Sequence, residues 1–346
     1  MTLTALTVLL PVFFVLGLGY FAGRTKKFDA DQVAGLNDLV LDYAFPAMMF
    51  VATVKTPRDE LLSEGSYALA LLVAFVGLFL AVVLISTRLL HHSLGEATLQ
   101  ANLASFPSVG FFGPPIFQGL FGPSSLVSIA LATTLSSVTM IPLTLVLLEI
   151  HHQHTTRSEG QRVSSLIVQS LANTLKKPMV WAPLIGVALV LAGARVPPLL
   201  DNMLMLIGST TSGASIFLAG LIIAGHEIRL NGEVIANAFV KMVAQPLLMV
   251  LLVTALKVGN PLAGEGIVVC AIPTAVFAPL LAPRYRIYEV ESSSTLVATA
   301  LLMIVTLPIA MFACRSLGQP LLLQRHMVCD TEGGYLVHEC EVPVSH

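Results

Sequence analysis

Ten apolar runs, each about 20 residues long, divide this sequence of 346 residues. A run of that length crosses the roughly 30 Å hydrocarbon core of a bilayer as a helix. The runs cover residues 4–23, 33–54, 66–90, 98–121, 125–149, 178–197, 201–225, 238–257, 264–285 and 292–314. We therefore predict an all-α integral membrane protein with ten transmembrane helices.

The composition supports a membrane protein and excludes a nucleic-acid-binding protein. Apolar residues make up 55% of the chain and charged residues 11%, and the mean hydropathy is +0.85. Globular proteins average roughly 45–50% apolar and roughly 25% charged residues. The net charge of -2 provides no basic surface for nucleic acid. The first apolar run lacks the flanks of a signal peptide, so we predict a retained helix.

The distribution of lysine and arginine predicts the orientation. If the N-terminus is outside, eleven of these residues fall in cytoplasmic loops and four in outer loops, leaving out Lys241 and the two arginines of the tail. Positive residues favour the cytoplasmic side. Both termini are then predicted outside, and the longest connection, 150–177, in the cytoplasm.

The second half of the sequence resembles the first when the two are aligned on their prolines. Pro107 aligns with Pro273 and Pro142 with Pro308, and "FPSVGFF" meets "IPTAVFA". Five helices end on the side opposite to their start, so a second copy enters the membrane upside down, as in many secondary transporters. The predicted divisions are a first five-helix repeat (1–149), a cytoplasmic linker (150–177), a second repeat (178–314) and a polar tail (315–346).

Two of the predicted helices contain breaks. "SFPSVGFFGPPIF", residues 105–117, carries three prolines in mid-span. A proline inside a helix costs about 3 kcal/mol, and broken backbone in a membrane is tolerated where protein encloses it. We predict that helix 4 splits near Pro107 to Gly113 and helix 9 near Pro273 to Pro279, the two crossing in the protein core. The alternative is a simple proline kink in each helix.

Two such breaks favour an anion. The second half of each broken helix begins near mid-membrane, with roughly half a positive charge at its N-terminus. The first halves end there with free carbonyls, which suit a cation or nearby hydroxyls. The predicted substrate-binding residues are Asn102, Pro107, Ser108, Val109, Gly110, Pro273, Thr274 and Ala275.

Ion coupling has separate candidates, namely Asp42, Ser136, Ser137, Ser293 and Ser294. Asp42 is the only carboxylate well inside a predicted span, so it is a candidate for a coupling proton; the alternative is an acidic face near a solvated helix end, shared with Asp38. Lys241 and Glu149 lie near span ends, where we expect them to snorkel or cap. We predict no cofactor and no metal site.

The sequence contains no P-loop, so an ion or substrate gradient is the expected energy source. A channel, or a solute sensor built on the same fold, stays an alternative to a transporter. An enzyme would need a nucleophile and a base inside the spans, and the sequence does not pair such residues.

The ten-helix layout, the segments "NLASFPSVGFFGPPIF" and "AIPTAVFAPLLAPRY", and the closing "LPIAM" resemble the auxin efflux carrier family, which shares the bile-acid-sodium-symporter-like inverted repeat. The resemblance covers about residues 4–314 and is greatest to the bacterial malonate carriers. It implies a location in the bacterial inner membrane. It also implies a scaffold of helices 1, 2, 6 and 7, often a homodimer surface, and an elevator-like transport domain of the other six.

In the plant carriers an asparagine follows the crossing proline and touches the substrate carboxylate. Ser108 stands at that position here, and Thr274 follows the matching Pro273. A hydroxyl keeps a hydrogen-bond donor with a shorter reach, which suits a small carboxylate such as malonate. The resemblance therefore implies a malonate or related carboxylate carrier, with auxin-like or other monocarboxylates as the alternative and with sodium and proton coupling both open.

Overall fold

The protein is described by a computed structural model over residues 2–55, 64–121, 125–155, 175–194, 196–225 and 227–316. Every regular element in these ranges is helical, apart from one isolated backbone bridge. Most of the predicted linker, and the predicted tail from residue 317, lie outside the described residues. The α-helices are α1 (Thr2–Arg24), α2 (Ala30–Asp38), α3 (Phe45–Val54), α4 (Gly65–Leu72), α5 (Leu78–Leu89), α6 (Leu94–Ser105), α7 (Val109–Leu120), α8 (Leu126–Thr155), α9 (Pro178–Leu191), α10 (Pro198–Gly208), α11 (Thr210–Gly225), α12 (Gly232–Phe239), α13 (Gln245–Ala255), α14 (Leu262–Ala271), α15 (Phe277–Tyr285) and α16 (Glu289–Ser316).

Three π-helical turns join pairs of these helices end to end. Leu39–Ala44 connects α2 to α3, Val73–Gly77 connects α4 to α5, and Val240–Ala244 connects α12 to α13. Single π-helical turns inside longer helices are frequent at functional sites. The second and third turns have the same length, and each lies in a long apolar helical stretch of its own half of the chain.

Five helical stretches of the described chain are long and apolar enough to cross a membrane: Gly65–Leu89, Ser128–Gln153, Pro198–Gly225, Gly232–Ala255 and Glu289–Phe312. The protein is therefore a multi-pass membrane protein. Other predicted spans are shorter or divided. The sixth ends at Leu191 and not at residue 197, because Gly193 turns the chain with a φ of 68° and Pro197 and Pro198 follow.

The α1 and α11 helices lie against each other through glycines. A Cβ on Gly19 would stand 2.0 Å from the Phe217 carbonyl oxygen, and one on Gly220 would stand 2.3 Å from that of Leu16. Such contacts exist only where the residue lacks a side chain, which lets two membrane helices approach closely.

The broken helices lie at the centre of the fold. Ten of the twelve residues of α6 and nine of the ten residues of α14 are buried. The α8 and α16 helices pack against both. Protein thus encloses the chain breaks that follow α6 and α14, as broken backbone at membrane depth requires.

Candidate functional site

The break after α6 is caused by Pro107. Phe106 leaves the helix with a φ of -97° and a ψ of 105°, the extended conformation favoured before a proline. Ser108 is the residue before α7, and its side chain makes no capping hydrogen bond. The break therefore covers three residues, 106–108.

The break after α14 has the same cause. Ile272 is extended, with a φ of -69° and a ψ of 142°, because Pro273 follows it. The next helix, α15, begins at Phe277. This break is longer, at residues 272–276.

The two breaks lie side by side and bind each other. The N–H of Ser108 donates to the carbonyl of Pro273 at 2.9 Å, and that of Ala275 donates to the carbonyl of Phe106 at 2.8 Å. Pro107 and Thr274 face each other in an antiparallel bridge. Five of the predicted substrate-binding residues are thus brought together: Pro107, Ser108, Pro273, Thr274 and Ala275.

The hydroxyls of Ser108 and Thr274 are the notable polar groups of this crossing. Both residues are buried, at 2% and 0% exposure. Neither hydroxyl has a hydrogen-bond partner within the described ranges of the chain. A buried hydroxyl without a partner costs about 1–3 kcal/mol, so each of the two is suited to a guest that accepts hydrogen bonds.

A small cavity of about 20 Å³ adjoins the crossing. Its lining combines three aromatic rings with hydroxyls, and includes Phe45, Phe106, Ser108, Thr133, Ser136 and Phe277. That volume holds roughly one water molecule. A dicarboxylate therefore needs the surrounding helices to move apart before it fits.

Of the amides that the helix N-termini present, the sequence analysis names one, that of Gly110. The N–H of Val109 donates to the Pro107 carbonyl at 2.9 Å, and the N–H groups of Ser108 and Ala275 are used in the crossing. The first-turn amides without an acceptor inside their own helix are those of Gly110 and Phe111 in α7. In α15 they are those of Phe277 and Ala278, which the sequence analysis missed because it placed the second break further along the chain.

Asn102 lies in α6, one turn before the break, and is fully buried. Its side-chain amide donates to the Thr144 hydroxyl at 3.0 Å, while its Oδ1 has no partner in the described chain. Asn102 thus joins α6 to α8 and keeps one free acceptor.

The four serines predicted for ion coupling do not share one contact. Ser136 and Ser137 both donate to the carbonyl of Thr133, at 2.9 and 2.6 Å. Ser294 accepts from the N–H of Arg229 at 3.0 Å, in a loop connection. Ser293 is buried without a partner among the described residues.

Asp42 lies in the π-helical turn between α2 and α3 and pairs with Arg284. Two guanidinium nitrogens donate to its two oxygens at 3.1 and 3.3 Å, and both side chains are about one-third exposed, at 34% and 38%. Arg284 is in the last turn of α15, away from the start of that helix at the crossing. The carboxylate thus lies at a half-exposed helix end, which agrees with the alternative interpretation of Asp42.

Lys241 is buried, contrary to the expectation that it snorkels. It lies in the π-helical turn between α12 and α13 with no exposed surface, and its Nζ donates to the carbonyl of Cys270 at 2.9 Å. The apolar run around Lys241 indicates a span but not which of its side chains face inward, so hydropathy gives no sign of this burial. The capping part of the expectation holds, because Cys270 belongs to the last turn of α14.

Two further buried polar residues were missed by sequence analysis. Gln245 is fully buried in α13, and its amide donates to the carbonyls of Ser105 and Ala74 at 2.6 and 3.1 Å. Glu265, at 2% exposure in the first turn of α14, accepts a hydrogen bond from Ser128. The available signal was the position of each residue inside a predicted span.

Comparison with known proteins identifies the family of this chain. The family model described as "Membrane transport protein" matches residues 4–311. A protein named "Uncharacterized transporter YfdV" of Escherichia coli K12 is 30% identical over 310 residues, 89% of this chain and 96% of that protein.

Two more distant relatives carry more specific names. A "Putative malonate transporter" of Rhizobium meliloti is 20% identical over 316 residues, 90% of this chain and 97% of that protein. The "Lysosomal cholesterol signaling protein" of Mus musculus is 23% identical over 229 residues, 64% of this chain and 26% of that protein. With the family model matched across most of its length, the chain belongs to the membrane transport protein family, the auxin efflux carrier family.

Proposed function

We propose that this membrane transporter carries small organic anions, malonate or a related carboxylate, by secondary transport. The observation that carries the proposal is the pair of buried hydroxyls, Ser108 and Thr274, that lack partners in the described chain where the two breaks cross. The first turns of α7 and α15 begin beside them, and helix N-termini favour negative charge.

Malonate suits the charge of this arrangement, and its small size limits how far the cavity beside the crossing must widen. Its two carboxylates are separated by one methylene, so both can lie near the crossing, where the first turns of α7 and α15 begin. The relative named as a putative malonate transporter supports the choice at 20% identity. An auxin-like or other monocarboxylate has one carboxylate only, which leaves the N-terminus of the second half-helix without a charged partner.

The proposed architecture is ten transmembrane helices in two inverted repeats of five. The π-helical turns Val73–Gly77 and Val240–Ala244 support it, because they start 167 residues apart, one residue more than the 166 that separate Pro107 from Pro273. Local backbone features that recur within one residue of the offset of the proline breaks are expected from a duplicated unit.

The proposed mechanism is elevator-like alternating access. The scaffold comprises the predicted transmembrane helices 1, 2, 6 and 7. Within it, α1 packs on α11, and α9 and α10 pack on α3. The transport domain comprises the other six predicted transmembrane helices. Among them, α6 and α14 are the first halves of the broken helices 4 and 9. Contacts within each group support this division. We further propose that the protein forms a homodimer through the scaffold and lies in the bacterial inner membrane with both termini outside. An ion or substrate gradient is the proposed driving force.

The test is counterflow in proteoliposomes. Vesicles loaded with unlabelled malonate are diluted into radiolabelled malonate, succinate, acetate or indole-acetate. Transient accumulation of labelled malonate above equilibrium is the expected result. Flux without saturation or accumulation indicates a channel, and a saturable binding signal without any flux indicates a sensor; either result contradicts the proposal.

A further inference from the structure

The ammonium of Lys241 lies at the carbonyl end of a broken helix. Its Nζ is 2.9 Å from the carbonyl oxygen of Cys270, in the last turn of α14. The last carbonyls of a helix have no partner inside it and carry partial negative charge. In the described part of the chain no carboxylate pairs with the ammonium, and the Cys270 carbonyl is its hydrogen-bond acceptor.

Gln245 donates to the carbonyl end of the other broken helix. It follows Lys241 by four residues, a spacing that places two side chains on one helix face. Its amide donates to the carbonyl of Ser105, the last residue of α6, at 2.6 Å. One stretch of the chain thus provides donors to the carbonyl ends of both first half-helices.

These carbonyl ends are the places where a cation-coupled transporter built from broken helices coordinates its ion. We infer that the Lys241 ammonium is a built-in cation of the crossing, which takes the position of a co-transported sodium ion and makes transport sodium-independent. The inference rests on the proposed function and selects among its driving forces. A proton gradient or exchange of substrates then drives the cycle.

Three features of the geometry support the inference. The ammonium is fully buried, so a sodium ion at the same carbonyls meets a neighbouring positive charge that water does not screen. The nearby carbonyl of Ser105 already accepts a hydrogen bond from Gln245. In the alignment that places Val73 on Val240, the counterpart of Lys241 is Ala74, so the first half supplies no second built-in charge.

The direct test measures cation binding without any substrate. The midpoint of thermal unfolding of the purified full chain is compared in sodium chloride and choline chloride at equal ionic strength. The variant is Lys241→Ala, which frees the Cys270 carbonyl and leaves room for an ion. The matched control is Lys27→Ala, in an exposed loop.

We expect wild type and Lys27→Ala to unfold at the same temperature in both salts. Lys241→Ala should unfold at a lower temperature in choline and gain about 2–4 °C in sodium, saturably. Stabilisation of the wild type by sodium over choline overturns the inference. So does a folded Lys241→Ala variant that is indifferent to sodium.

Wild-type counterflow gives a second measurement that needs no variant. We expect the same rate in sodium and in choline. A rate that requires sodium overturns the inference and leaves the proposed function intact. Absence of counterflow for every carboxylate overturns the proposed function, while the unfolding experiment still decides the cation site.

Discussion

The backbone N–H of Ser108 donates a 2.9 Å hydrogen bond to the carbonyl of Pro273. Each proline interrupts its own helix, and this bond, with the one from Ala275 to Phe106, lets the two interruptions satisfy each other. Unpaired backbone groups at membrane depth cost several kcal/mol each. These four backbone groups are thus paired without a ligand, while the hydroxyls of Ser108 and Thr274 and the first-turn amides of α7 and α15 are left for one.

Removal of these hydroxyls should weaken substrate binding and leave the fold intact. Neither makes a hydrogen bond in the described chain, so Ser108→Ala and Thr274→Val remove no observed bond. A hydrogen bond to a charged group contributes about 1.5–3 kcal/mol, which corresponds to about a 10- to 100-fold weaker apparent affinity. The measurement is the concentration dependence of malonate counterflow.

The control for this prediction is Thr254→Val. Its hydroxyl is exposed and bonds only to carbonyls of its own helix, Val250 and Leu251. We expect unchanged kinetics for the control. Unchanged kinetics for Ser108→Ala and Thr274→Val as well would remove the two hydroxyls from the site.

The sequence predicts the position of the breaks better than their extent. Pro107 and Pro273 end α6 and α14 as expected, because a residue before proline avoids the helical conformation. Gly113 and Pro279 were expected in the breaks and lie inside α7 and α15. Pro279 is the third residue of α15. An N–H at that position has no acceptor inside the helix, so proline is tolerated there.

The hydrogen-bond partners of Lys241 and Gln245 are beyond what hydropathy can predict. Both residues lie inside a predicted span, but the π-helical turn Val240–Ala244, which contains Lys241 and ends beside Gln245, leaves no periodic signal in the sequence. The reciprocal bonds of the crossing are likewise invisible, since they join backbone atoms of residues far apart in the chain.

Gln245→Leu should destabilise the protein. It leaves the buried carbonyls of Ser105 and Ala74 without this donor, at a cost of about 1–3 kcal/mol for each group. The expected result is a clear drop in the midpoint of thermal unfolding. Gln32→Leu removes one exposed capping hydrogen bond, from the Asp29 N–H, and should have a smaller effect. Equal effects of the two variants would contradict a role of Gln245 at the break.

The ion pair of Asp42 and Arg284 should be dispensable for substrate binding. Both side chains are partly exposed, and such pairs contribute about 0–1 kcal/mol. We expect Asp42→Asn and Arg284→Gln to keep malonate counterflow, and the double variant to resemble either single one because the pair acts as a unit.

Asp42→Asn also tests proton coupling. We expect uptake driven by an imposed pH gradient to persist in this variant. Intact counterflow combined with loss of pH-driven uptake would instead identify Asp42 as the proton carrier, and would refute its assignment to a structural pair.

Gly220→Ala should disrupt the contact of α11 with α1. The new Cβ would lie 2.3 Å from the Leu16 carbonyl oxygen, and forced overpacking typically costs about 1–3 kcal/mol. Gly213→Ala is the matched control, since a Cβ there meets nothing within 4 Å in the described chain. We expect only Gly220→Ala to lower the unfolding midpoint; equal midpoints would show that the two helices separate without cost.

The most direct test of the site is a cryo-EM structure of the protein with malonate. The account predicts density for the ligand at the crossing, within hydrogen-bond distance of the Ser108 or Thr274 hydroxyl, with the small cavity beside Ser108 enlarged. A larger cavity of about 480 Å³ between α1, α2, α11 and α15, lined by Asn37 and Arg284, is the rival location. Malonate in that cavity, with the crossing closed and unoccupied, would contradict the account.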